Sequence, residues 1–139
     1  MAAPISVLLI DDNSVFLRIL KRFLEEHSGG EVVVVGSVNG GERALTTASA
    51  LKPQVILVDL AMPDMHGLDL IPPLRASLPG AIIIVLTLTD PDSYCSAVLA
   101  AGADAFVSKT FLEEELLPTM RRLSQVKRSQ GNCADCGVS

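Results

Sequence analysis

Apolar residues recur along this chain in two alternating patterns. Five short runs, at positions 5–10, 32–35, 55–58, 81–86 and 105–107, are almost wholly aliphatic and rich in valine and isoleucine. Runs of that length and make-up predict strands, and the most continuous of them predict strands buried on both faces, as in a parallel sheet. Between the runs, apolar positions are spaced by three and four. The first such stripe is Val15, Phe16, Ile19, Leu20, Phe23 and Leu24, the second Ala44, Leu45, Ala48 and Leu51, the third Leu68, Ile71, Leu74 and Leu78. Asp90-Pro91 through Ala101 predicts a fourth helix, and the stripe Leu112, Leu116, Met120 and Leu123 a fifth.

Polar and breaking residues fix where these elements end. Asn13 or Asp12 is positioned to cap the first helix and Gly29-Gly30 to stop it. Asn39 with Glu42 predicts a capping box for the second, which Lys52-Pro53 closes. Pro72-Pro73 predicts that the third helix starts late, or is short or kinked. Gly102 ends the fourth. Thr110 with Glu113 predicts a capping box for the fifth, with a kink at Pro118. Strand and helix alternate five times over short connections. That predicts an α/β fold, a flavodoxin-like (βα)5 doubly wound parallel sheet with strand order 2-1-3-4-5.

Composition narrows the class. A chain of 139 residues with 49% hydrophobic content and a mean hydropathy of +0.43 is one folded domain's worth. The expected division is a domain over residues 1–126 and a flexible tail over 127–139 that carries Cys133 and Cys136. No apolar run has the length of a membrane span, and the first is stopped by Asp11 and Asp12 without a basic start. A cytoplasmic location with no membrane contact is therefore expected. Sixteen acidic residues against 11 basic ones give a net charge of -5. That balance argues against direct nucleic-acid binding by this domain and suits an acidic pocket for a divalent cation.

In a parallel sheet every strand's C-terminal end lies along one edge, and ligands bind there, where strand order reverses. The residues just past those ends are Asp11 and Asp12, then Asp59, Thr87 and Lys109. Three converging carboxylates call for a compensating cation, and Mg2+ with oxygen ligands suits them. Such a site prepares one carboxylate as a nucleophile for phosphoryl transfer, with metal and ammonium neutralising the transferred group.

Asp11-Asp12, Asp59 followed by Met62-Pro63 and Gly67, Thr87 and Lys109 together resemble the receiver domain of two-component response regulators. The resemblance spans roughly residues 5–126 and keeps every element in the family's order. It implies that Asp59 accepts a phosphoryl group from the phosphohistidine of a sensor histidine kinase or phosphotransfer protein. Asp11, Asp12, Asp59 and the Ala61 carbonyl would hold Mg2+ (or Mn2+). Lys109 and Thr87 would bind the phosphoryl group, and Phe106 would be the switch aromatic. The surface of the fourth helix, fifth strand and fifth helix would then change, for partner binding or homodimer formation. Such a domain is a signalling phosphoacceptor that assists its own phosphorylation and dephosphorylation rather than an enzyme. Three positions depart from the pattern. Thr110 stands where the family often has proline, and Ala61 and Thr89 are small at positions the family uses to tune phosphate lifetime.

Other features read as ordinary. His66 is a loop histidine, and His27 faces the end of the first helix's dipole. Cys95 is a packing residue. Cys133-Ala134-Asp135-Cys136 has zinc spacing without further ligands nearby. A flavodoxin-like cofactor protein is disfavoured by the acidic loop after the first strand. A hydrolase with an aspartyl-phosphate intermediate is disfavoured by Leu60-Ala61-Met62, which offers neither a second Asp nor a Lys-Thr-Gly-Thr run. The alternative is a receiver-like scaffold acting without phosphorylation. Nothing after Leu123 resembles a helix-turn-helix or an enzyme.

Overall fold

The computed structural model describes residues 4–60, 67–88 and 91–132, with positions 67, 91–95 and 127–132 described as backbone alone. The order is β1 (Ile5–Ile10), α1 (Ser14–His27), β2 (Val32–Val38), α2 (Ala44–Leu51), β3 (Val55–Asp59), α3 (Gly67–Ser77), β4 (Ile82–Thr87), α4 (Pro91–Ala101), β5 (Ala105–Ser108) and α5 (Leu112–Asn132). The five strands form one parallel sheet in the order β2-β1-β3-β4-β5, as the alternation of strand and helix predicts.

Side chains alternate across the pleat, so each strand feeds two cores. Val7, Leu9, Leu57, Ile84 and Leu86 face one side, where Leu17, Leu20 and Leu24 of α1 and Leu116 and Met120 of α5 cover them. Leu8, Ile10, Ile56, Val58, Ile83 and Val85 face the other, under α2, α3 and α4 through Ala48, Leu70, Ile71, Leu74 and Val98. Fully burying each large aliphatic side chain contributes roughly 1.5–3 kcal/mol. Coverage on both faces explains why these strands carry no polar alternation.

Several element boundaries differ from expectation. β2 extends to Val38, and its pairing with β1 skips Val35, which forms a bulge on this edge strand. α2 begins at Ala44 with Arg43 at its N-cap and no side-chain cap, so Asn39 and Glu42 do not form a capping box. Gly40, at φ 125°, breaks the helical path between them. α3 begins at Gly67 and runs past Pro72 and Pro73, earlier than the prolines suggest. Each proline removes one N–H from the helix ladder. Complete burial of Leu70, Ile71 and Leu74 and the anchoring of Arg75 offset that loss. α5 carries Pro118 inside and runs to Asn132, past residue 126; Cys133 and Cys136 lie outside the described residues.

Arg75 is the main polar tie outside the sheet. Its Nη2 meets Asp104 Oδ2 at 2.6 Å, and its remaining donors reach the carbonyls of Gly102, Pro79 and Ala81 at 3.0, 2.9 and 2.6 Å. Asp104 Oδ2 also accepts the backbone N–H of Ile83 at 2.9 Å. One guanidinium thus fastens α3 to the entry of β4 and to the turn between α4 and β5, where Gly102 adopts φ 122°. Replacing Arg75 with alanine removes the guanidinium partner of a part-buried carboxylate and of three carbonyls. It should cost about 2–4 kcal/mol of unfolding free energy in urea denaturation. A loss below about 0.5 kcal/mol would show that this tie carries little.

Candidate functional site

Four strand ends converge on one edge of the sheet. Asp11 follows β1 directly, Asp59 is the last residue of β3, Thr87 the last of β4, and Lys109 follows β5. β1 and β3 are neighbours although β2 lies between them in sequence, so their ends flank the point where strand order reverses. Asp11, Asp59 and Thr87 are buried, at 2%, 6% and 3% exposure, and among the described residues the other buried side chains are almost entirely apolar. Asp12 is exposed.

The Lys109 ammonium lies between two of the acids, 2.9 Å from Asp11 Oδ2 and 3.1 Å from Asp59 Oδ1. Asp11 Oδ1 accepts the backbone N–H of Asn13 at 2.9 Å. Asn13 Oδ1 in turn accepts the N–H groups of Val15 and Phe16, capping α1. Asp11 therefore serves both the site and the start of the helix beside it. Carboxylate oxygens of Asp11, Asp12 and Asp59 lie within 4.8 Å of one another.

Burial pushes the Asp59 carboxyl above its ordinary value of 3.8; Lys109 opposes that shift, and the charges of Asp11 and Asp12 add to it. Three carboxylates face one ammonium, which leaves an excess of two negative charges when all are ionised. An all-oxygen donor set with that deficit fits a hard divalent ion such as Mg2+. The Ala61 carbonyl, the fourth ligand expected for that ion, lies outside the described residues, as do Thr89 and the loop holding Met62, Pro63 and His66.

Lys109 opens a 3-10 turn, Lys109–Phe111, before α5. Ser108 Oγ caps it by accepting the N–H of Thr110 at 3.1 Å. Thr110 is thus inside the turn and does not begin α5, contrary to the capping box read from Thr110 and Glu113. That bond uses an N–H that proline, the family's frequent residue here, would lack. Ser108→Ala should lower stability by about 1 kcal/mol, read from the urea midpoint at constant slope. An unchanged midpoint would show that the turn holds without its cap. Phe106 pairs with Val85 and packs, half-buried, against the core beneath α2, α3 and α4. His27 stacks on Phe23 with ring centroids 4.7 Å apart and its Nδ1 lies 3.2 Å from the Phe23 carbonyl, away from the acidic edge.

Phe16, a member of the apolar stripe of α1, packs at the margin of the core as that stripe predicts, and its ring also lies against the Lys109 ammonium, with Nζ 4.3 Å from the centroid. The available clue was its place in the first turn after an Asp-Asp-Asn loop, next to the site. A cavity of about 600 Å3 opens at the opposite edge of the sheet, lined by Ile5, Gln54, Leu78 and Ile82 among others, and shares no residue with this cluster.

The site is thus a lysine-bridged acidic cluster at the switch point of a doubly wound parallel sheet. Residues 7–121 match the family model described as the response regulator receiver domain, and the chain belongs to that family. It is 38% identical over 120 residues to the nitrate/nitrite response regulator protein NarP of Escherichia coli, covering 86% of this chain and 55% of that protein. It is 32% identical over 135 residues to the probable transcriptional regulatory protein TcrX of Mycobacterium tuberculosis, covering 97% and 55%. The chain thus spans about half the length of these curated relatives. Among solved structures, the isolated receiver domain of RcsB from Salmonella enterica serovar Typhimurium, determined with the phosphomimetic BeF3-, superposes with a TM-score of 0.78 at 26% identity. That match covers 88% of this chain and 89% of the other. Among the described residues no helix is long and apolar enough to cross a membrane.

Proposed function

We propose that this receiver domain is a phosphorylation switch in which Asp59 is the phosphoacceptor. The observation that carries the reading is the Lys109 ammonium held between Asp11 and Asp59 at the strand-order reversal. An Asp59 carboxylate oxygen attacks the phosphorus of a kinase's or phosphotransfer protein's phosphohistidine. The P–O bond forms as the P–N bond breaks, and the imidazole leaves and takes up a proton. Asp11, Asp12, Asp59 and the Ala61 carbonyl would hold Mg2+, whose contribution is to neutralise charge on the transferring oxygens. Lys109 is the fixed cation beside the nucleophile, and its pairing with Asp59 Oδ1 orients the carboxylate.

Thr87, buried on the neighbouring strand end, would hydrogen-bond the phosphoryl group through its hydroxyl. Phe106, half-buried on the next strand, would turn inward as Thr87 moves. The α4–β5–α5 face would then change its affinity for a partner or a second copy of the chain. The RcsB domain solved with a phosphomimetic is consistent with this reading by likeness alone. The expected setting is the cytoplasm, with no direct contact to nucleic acid by this domain.

The test uses purified protein, Mg2+ and acetyl phosphate. A hydroxylamine-labile phosphate that disappears with EDTA is expected. Absence of label under conditions that label another receiver would favour the scaffold reading, in which the same surface binds partners without modification.

A further inference from the structure

Phe16 stands apart from the other large side chains of α1. Its ring packs at the margin of the core between the sheet and helices α1 and α5, and it also contacts a charge. The ammonium it meets is mostly shielded from water, with 12% of the Lys109 side chain exposed. A cation over an aromatic face in such surroundings is attracted by the ring quadrupole, which an aliphatic side chain of similar size lacks. The ring's place is also fixed. Asp11 Oδ1 holds the Asn13 N–H, and Asn13 Oδ1 holds the Phe16 N–H at 3.1 Å, so the loop that carries the acid sets the backbone of the aromatic residue.

This geometry has a consequence for cation binding. Both Asp11 oxygens are engaged, Oδ1 by the Asn13 N–H and Oδ2 by Lys109. A divalent cation approaching Asp11 meets the ammonium as a like charge on the same carboxylate. Whatever holds the ammonium there opposes the incoming ion, and the Phe16 ring holds it together with Asp11 and Asp59.

We infer that Phe16 is a positioning residue that holds the Lys109 ammonium over the acidic cluster through a cation–π contact, and so sets how readily a divalent cation takes Asp11. The inference rests on the proposal that Asp11, Asp12 and Asp59 bind Mg2+. Phe16 touches neither the transferred group nor the metal, and acts only through Lys109.

The experiment replaces Phe16 with 4-fluoro-, 3,5-difluoro- and pentafluorophenylalanine, which keep the ring's shape while weakening its negative face. Mg2+ affinity is measured by calorimetry on the full chain, with Lys109 present and with Lys109→Met. Affinity should rise stepwise along the series, about threefold to tenfold in total, when Lys109 is present. It should stay level in Lys109→Met. In the metal-free protein, Phe16→Leu should also move the Lys109 ε-methylene proton resonances downfield, as the ring current is lost. A level series with Lys109 present overturns the inference, and so does the same rise in Lys109→Met, because packing alone would then explain it. Acetyl phosphate labelling of the unsubstituted protein is read separately. A protein that takes up neither Mg2+ nor label sinks the functional proposal and this inference together. One that takes up both, beside a level series, sinks the inference alone.

Discussion

Asp59→Asn should take up no hydroxylamine-labile phosphate and should be more stable than the unsubstituted chain at neutral pH. The first effect follows from chemistry, because a neutral amide is a poor nucleophile toward phosphorus. The second follows from burial. The Asp59 carboxyl is raised above 3.8 mainly by desolvation, so its ionised form is less favourable in the folded chain than in the unfolded one. The folded state then binds a proton more tightly than the unfolded state. Stability associated with this group is greatest below its unfolded value and is lost as pH rises through the raised folded value. Asparagine removes that loss. Thermal melts should show the variant ahead at neutral pH and the gap closing as pH falls toward 3.8. An equal or lower melting temperature at neutral pH would mean that the Lys109 pair outweighs the burial cost.

Asp12→Asn should weaken Mg2+ binding without disturbing the fold. Asp12 is exposed, so its folding contribution should change by no more than about 0.5 kcal/mol. Removing one of three carboxylates from the cluster should lower Mg2+ affinity by about tenfold to a hundredfold, and labelling by acetyl phosphate should need correspondingly more Mg2+. Calorimetry and a Mg2+ titration of labelling read both effects. Unchanged affinity would place the ion elsewhere. Asp11→Asn is a less clean variant, because Asp11 also supports the Asn13 cap of α1 and pairs with Lys109.

Most of the frame was legible in the sequence because it depends on local pattern. The aliphatic runs that became β1, β3 and β4 are buried on both faces, and such runs have few other homes in a chain this short. Chain alternation then led to the strand order, and strand order brought Asp11, Asp59, Thr87 and Lys109 to one edge. Burial separates Asp11 from Asp12 in a way the adjacent pair could not show.

What escaped depends on contacts between distant residues or on trade-offs between scales. Arg75 and Asp104 are 29 positions apart and resemble ordinary surface charges until α3 is laid against the turn before β5. Phe16 fits a helical stripe, and only its nearness to Lys109, far away in sequence, shows that its ring meets a charge. Pro72 and Pro73 argue locally against a helix, yet the buried face of Leu70, Ile71 and Leu74 prevails. At Asn39 and Glu42 a helix-start spelling was overridden by the backbone of Gly40 between them.

The central claim is that Asp59, among the acids gathered at this edge, takes the phosphoryl group. Sodium borohydride reduces an aspartyl phosphate to homoserine and so marks its position for peptide mass spectrometry. After treatment with Mg2+ and acetyl phosphate, the predicted result is homoserine at position 59 and unmodified aspartate at positions 11 and 12. Homoserine at 11 or 12 with aspartate retained at 59 would contradict it.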